Sequence, residues 1–257
     1  MGSKLLANLD ILTTIQSEQR LIPNTVQLAP CEICSSSCPF CSVAYRPLKS
    51  YLSFPKIEKL LRDFRSLGAR ACELTGGGQP DLYSDPTNKK NINDVIECAN
   101  SLGYKIGIIT NANDLKRIDR QNYDKIEWIR ISLIKLEEGH EPEDYNFRDF
   151  PYGKLAFSYI IYKQTEASPS LLKKKFTYTP TSPAIFEKIA RLVDLHPQIK
   201  FVRIVGDCLV KDGQEQTKQD FGGIINAIDK YKKFFIRDSD YGDHPFEHGC
   251  FIGALRP

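Results

Sequence analysis

Short runs rich in β-branched and aromatic residues alternate along this chain with amphipathic stretches. Nothing else in the sequence constrains the fold as strongly. Strand-like runs cover residues 25–29, 71–75, 105–110, 128–133, 155–162 and 200–205. Between the first two, Ile57, Leu60, Leu61, Phe64 and Leu67 recur at helical spacing, and Gly68 stops the run. A second helix is expected over 92–102, stopped by Gly103, a third from Pro183 to Leu195, and a last one over 221–235. Such alternation predicts a mainly parallel sheet with outer helices and right-handed crossovers. Six strands are too few for a closed eight-stranded barrel. The expected fold class is therefore α/β, a partial (β/α)6 TIM-like barrel, with a doubly wound sheet as the alternative. In either, loops at the C-terminal ends of the strands build the site.

The chain has 257 residues, enough for one large domain with small appendages. Residues 1–24 read as an N-terminal extension, 25–237 as the core and 238–257 as a tail. A polar, Lys-rich interruption over 163–182 reads as a loop or lid. The net charge is only +3, which argues against a broad nucleic-acid surface. The run Lys173-Lys174-Lys175 leaves a local nucleic-acid or anion contact open. No apolar run approaches the roughly 20 residues of a membrane span, and the N-terminus lacks a signal-peptide core. A soluble, cytoplasmic protein without a membrane partner is the expectation.

Four of the eight cysteines fall within eleven residues: Cys31, Cys34, Cys38 and Cys41. The last three have the spacing C-x3-C-x2-C and follow the first strand, so they can converge on one centre. A disulfide framework is a poor reading without a secretory signal. A structural zinc site usually separates two C-x2-C knuckles widely, and this run is tight for four thiolates around one zinc. A ferredoxin-type carrier would show C-x2-C-x2-C-x3-C-P, which is a different order. Four unligated thiols are also conceivable. The remaining reading is a [4Fe-4S] cluster on three cysteines, with the fourth iron open to a second ligand. Cys72, Cys98 and Cys208 read as buried or idle thiols.

With Phe40 just before its third cysteine, this run resembles that of the radical S-adenosylmethionine (radical SAM) superfamily. Gly76-Gly77-Gly78-Gln79-Pro80, at the end of the second strand, is similar to the family's Gly-Gly-Glu-Pro-like turn. Gln79 stands where glutamate is commoner, so an acceptor is kept and a charge lost. Softer matches are Asn111 after the third strand and Arg130 and Ser132 on the fourth. Arg130 and Ser132 alternate, so they share one face of the sheet. Together the matches span about residues 25–205.

The resemblance implies metal ligation by Cys34, Cys38 and Cys41. It implies S-adenosylmethionine (SAM) contacts at Phe40, Gly76, Gly77, Gly78, Gln79, Asn111, Arg130 and Ser132. One electron to the cluster would cleave SAM, giving a 5′-deoxyadenosyl radical that abstracts hydrogen from a substrate. The substrate is not identified: a peptide, a nucleotide or a nucleic acid all remain open. A flavodoxin- or ferredoxin-type electron donor is implied as partner. Cys31 is expected to be a neighbour and not a ligand. Arg203, Asp207 and, more weakly, Tyr159 are candidates for the lower cavity. Cys250 sits in a segment similar to the entry of a SPASM/twitch auxiliary-cluster extension. No complete second cluster is expected, and His244 and His248 read as surface or packing residues. The alternative from another class is a non-catalytic Fe–S electron carrier or metal-stabilised binding protein.

Overall fold

The computed structural model describes residues 9–18, 22–166, 177–206 and 213–236. Asp207, Cys208, Cys250, His244, His248 and the Lys173–Lys175 run lie outside them. Seven parallel strands form one sheet. They are β1 (Thr25–Leu28), β2 (Ala71–Leu74), β5 (Lys105–Thr110), β6 (Ile126–Ser132), β7 (Leu155–Ile161), β8 (Val202–Gly206) and β9 (Phe234–Ile236). A separate hairpin pairs β3 (Ser84–Asp85) with β4 (Lys90–Asn91). The helices are α1 (Leu9–Glu18), α2 (Phe54–Ser66), α3 (Ile92–Ser101), α4 (Ala184–Leu195) and α5 (Gly213–Ile228).

Strand order in the sheet follows chain order without reversal. A doubly wound sheet reverses at a switch point, so the open-barrel alternative is the one realised. No closed barrel forms among the described residues, since β1 and β9 stand at opposite edges. Right-handed crossovers between strands in sequential order put the helices on one face. That face is apolar. Val26, Leu28, Cys72, Leu74, Ile106, Ile108, Ile129, Ile131, Phe157 and Ile204 are all buried there, with Ile57, Leu61, Ile96 and Ile189 of the helices in the same core. The opposite face is mixed: the register aligns Gln27, Glu73 and Trp128 in one row and Ser132, Ser158 and Arg203 in another.

The helix starts follow local chemistry. Asn91 and Asp94 form a reciprocal capping box at α3. The Asp85 carboxylate accepts the Phe54 amide at 2.7 Å, which satisfies a free donor at the start of α2.

Three expectations need correction. The amphipathic stretch expected as one helix over 221–235 is split: α5 ends at Ile228, and Phe234–Ile236 is a seventh strand. The Asp229 carboxylate accepts the amides of Lys233 and Phe234, which turns the chain from helix to strand. Tyr159 does not face the polar side of the sheet. Its ring packs edge-on to Phe186 of α4, and its hydroxyl donates to Glu137. Cys98, expected buried, is half-buried.

Candidate functional site

The loop from Ala29 to Ser53 carries all four clustered cysteines across the C-terminal end of the sheet. Its base is closed by Glu32 N–H to Ser50 O at 2.9 Å and Leu52 N–H to Pro30 O at 2.9 Å. Within it, Cys41 N–H bonds Cys38 O at 3.2 Å, so the last two cysteines sit on one turn. Phe40 is buried, its ring 5.3 Å from that of Tyr162, and this side chain pins the turn to the core.

The glycine turn receives this loop directly. Gly78 N–H bonds Cys31 O at 3.1 Å and Gln79 N–H bonds Ile33 O at 2.6 Å. Gly76 has φ +118°, and a Cβ there would overlap Ala29. A Cβ on Gly77 would overlap the Glu32 carboxylate, and one on Gly78 the Ile33 carbonyl. Gly76 and Gly78 are therefore required by the packing of the cysteine loop, since each would meet its backbone, whereas at Gly77 the end of the Glu32 side chain could swing away. The sequence pointed to these glycines through the family resemblance and gave no sign of their contact with the cysteine loop.

Side chains tie the loop to three strand ends. Gln79 Oε1 accepts the Ser35 hydroxyl at 2.5 Å, and Gln79 Nε2 donates to Asp81 at 2.8 Å. Asp81 is buried and also accepts the Thr110 hydroxyl. Burial pushes the Asp81 carboxyl up, while its bonds to Thr110 and Gln79 pull it back. Asn111 Nδ2 donates to Ser36 Oγ at 2.5 Å and lies 3.8 Å from Cys34 Sγ. Asn111 Oδ1 is buried without a hydrogen-bond partner among the described residues. Ser36 Oγ donates to Glu138 at 3.0 Å, and the Tyr178 hydroxyl donates to the same carboxylate at 2.6 Å.

Cys34, Cys38 and Cys41 lie within electrostatic reach of one another. Burial pushes the Cys34 thiol up and the Cys38 thiol well up. Among the described residues, no three His, Cys, Asp or Glu side chains stand close enough to hold a single metal ion. A tetrahedral zinc would draw its thiolates to about 3.8 Å apart, from a Zn–S bond of about 2.3 Å. A cubane takes each thiolate on a different iron and so at wider spacing. The donor set fits such a group: three thiols on one loop, beside a buried amide oxygen with an open acceptor position.

Cys31 differs from the other three. It is 2% exposed, its thiol reaches Gln79 O at 3.4 Å, and burial pushes it up to about 12. Arg130 lies on the mixed face of the sheet with its guanidinium over the Trp128 ring at 5.6 Å. Ser132 shares that face at the end of β6, level with Ser158 and Arg203.

Asp81, Glu138, Tyr178 and Arg46 were not expected. Glu138 and Asp81 each follow a strand end, the position at which α/β sheets place site residues. That rule was the available signal. A cavity of about 170 Å³ opens beside the loop, bounded by Ser35, Gln79, Asp81, Asn113, Arg117 and Lys135. A larger one of about 350 Å³ lies among Leu115, Tyr123, Phe147 and Phe150, and none of the cysteines lines it.

The same fold occurs in SuiB. The Streptococcus suis SuiB structure bound to S-adenosylmethionine matches with a TM-score of 0.52 and 15% identity, over 91% of this chain and 55% of SuiB. SuiB bound to precursor peptide SuiA matches with a TM-score of 0.51 and 17% identity, over 91% of this chain and 53% of SuiB. The chain thus spans about half the length of the SuiB chains it matches. At such identity the likeness is one of fold. No family profile matches the chain, and neither does any curated protein. No helix among the described residues is long and apolar enough to cross a membrane.

Proposed function

We propose that the protein is a radical SAM enzyme in which Cys34, Cys38 and Cys41 hold a [4Fe-4S] cluster. The observation that carries this reading is the placement of three thiols on one loop, at the C-terminal end of a parallel sheet, docked on a glycine turn. The fold shared with a SAM-bound SuiB supports it. When bound, the reduced cluster and SAM supply a one-electron cleavage that yields a radical for hydrogen abstraction.

The chain's own residues bind and orient. The backbone of Gly76, Gly77, Gly78 and Gln79 receives the amino end of SAM, and Asn111 Oδ1 offers a buried acceptor. Arg130 pairs with a carboxylate, Ser132 contacts that group or the ribose, and the backbone at Phe40 meets the adenine. The loop over the strand ends excludes water from the reacting bond. We take 25–237 as the catalytic unit, working in a reducing, cytoplasmic setting with a flavodoxin- or ferredoxin-type donor. The SuiB structure bound to its precursor peptide favours a peptide substrate over a nucleotide or nucleic acid.

The test is anaerobic reconstitution, reduction and addition of SAM, followed by assay for 5′-deoxyadenosine. Product formation dependent on all three cysteines supports the enzyme. A loaded cluster that yields no product and whose EPR signal ignores SAM supports a non-catalytic carrier instead.

A further inference from the structure

With Cys34, Cys38 and Cys41 taken as cluster ligands, as proposed above, we infer that Arg46 is a positioning residue that sets the charge around the cluster. Its guanidinium holds the Cys41 sulfur and favours the reduced state.

Arg46 belongs to the cysteine loop, yet its side chain is only 6% exposed. Nη1 donates to Cys41 Sγ at 3.3 Å and to Val43 O at 3.0 Å. Nε donates to Glu32 O at 3.0 Å and lies 3.6 Å from the Glu32 carboxylate. Glu32 in turn occupies the space that a side chain on Gly77 would fill. The guanidinium is thus fixed by the turn that receives the loop. Its planar fork serves two carbonyls and a sulfur at once, and it stays charged when buried. A cation bound to a ligand sulfur stabilises the added electron, since hydrogen bonds and net charge at the sulfurs set cluster potentials.

The other side of the loop carries the opposite charge. Glu138 is 8% exposed and reaches Ser36 Oγ at 3.0 Å. Cys34 receives neutral amides, from Asn111 at 3.8 Å and from the Ser36 backbone, and no cationic donor within hydrogen-bond reach is seen among the described residues. Removing Arg46 and removing Glu138 should therefore shift the cluster in opposite directions. A role confined to holding the loop would shift both the same way.

The experiment is an EPR-monitored redox titration of the reconstituted full chain without SAM, with iron content measured in parallel. R46Q is expected to load iron and to lower the reduced-to-oxidised ratio at fixed potential at least tenfold, which is 59 mV for one electron. E138Q should raise that ratio, and R46K, which keeps the charge, should stay within threefold of wild type. The inference is overturned if loaded R46Q matches wild type within twofold, or if R46Q and E138Q shift in the same direction. Should R46Q load no iron, R46K decides: a tenfold fall in its ratio, or loss of iron there too, overturns the inference. Wild-type chain that takes up no cluster overturns the cluster reading itself, and Arg46's role with it.

Discussion

Replacing Gly76 by alanine should destabilise the chain even with no cofactor present. Gly76 has φ +118°, where an L side chain is strained by about 1–2 kcal/mol. Its added Cβ would also meet the Ala29 Cβ and lie 2.9 Å from the Ala29 Cα, which is backbone and cannot swing away. Overpacking of that kind costs a further ~1–3 kcal/mol. The expected loss is about 2–5 kcal/mol, a large part of a typical domain's stability of about 5–15 kcal/mol. Urea unfolding reads it as a lower midpoint with unchanged slope; at a slope of about 2 kcal/mol/M the midpoint falls by roughly 1–2.5 M. Two other glycines separate the contributions. Gly139 has φ +87° with nothing within 4 Å, so Gly139→Ala should lose only the strain. Gly223 lies in α5 with open space around it, so Gly223→Ala should gain about 0.5–1 kcal/mol. If G76A proves as stable as G139A, the turn is not packed on the cysteine loop as described.

Cys31→Ala should keep full iron content and cost about 1 kcal/mol in urea unfolding, the scale of one buried group; lost iron would make Cys31 a ligand. Gly107→Ala should force its new methyl into the ring of Trp128, the single tryptophan, costing about 1–3 kcal/mol and altering tryptophan fluorescence. An unchanged spectrum and midpoint would contradict that packing. Burial holds His196 below its usual range, so the unfolded chain binds the extra proton first as pH falls. The stability from neutral His196 is complete above about pH 6.5 and is lost as pH falls through the folded value. His196→Gln should flatten the pH dependence of the urea midpoint in that window, and an unaltered slope would rule His196 out as its source.

The sequence made the sheet legible because β-branched runs and 3.6-residue periodicity mark its strands and helices independently of tertiary contacts. It also placed Arg130 and Ser132 on one face of the sheet, as the strand register has them. β9 was hidden because its three residues continue an apolar pattern that reads equally well as helix. The side chain of Asp229, which breaks that helix, gives no periodic signal. Arg46, Asp81 and Glu138 were hidden for a related reason. A charged residue in a loop is ordinarily solvated, and only the fold buries these three against the cysteine loop. The glycine turn was found, but its full cause was not. Its overlap with Ala29, Glu32 and Ile33 arises between residues more than forty positions apart.

The central claim is that three cysteines, and not four, hold a cluster with one iron open to SAM. The most direct measurement is EPR of the reduced, reconstituted chain before and after SAM addition, in wild type and in C31A. Both are predicted to show a [4Fe-4S] signal that SAM perturbs, while C34A, C38A and C41A show none. A wild-type signal indifferent to SAM, or one abolished in C31A, would contradict it.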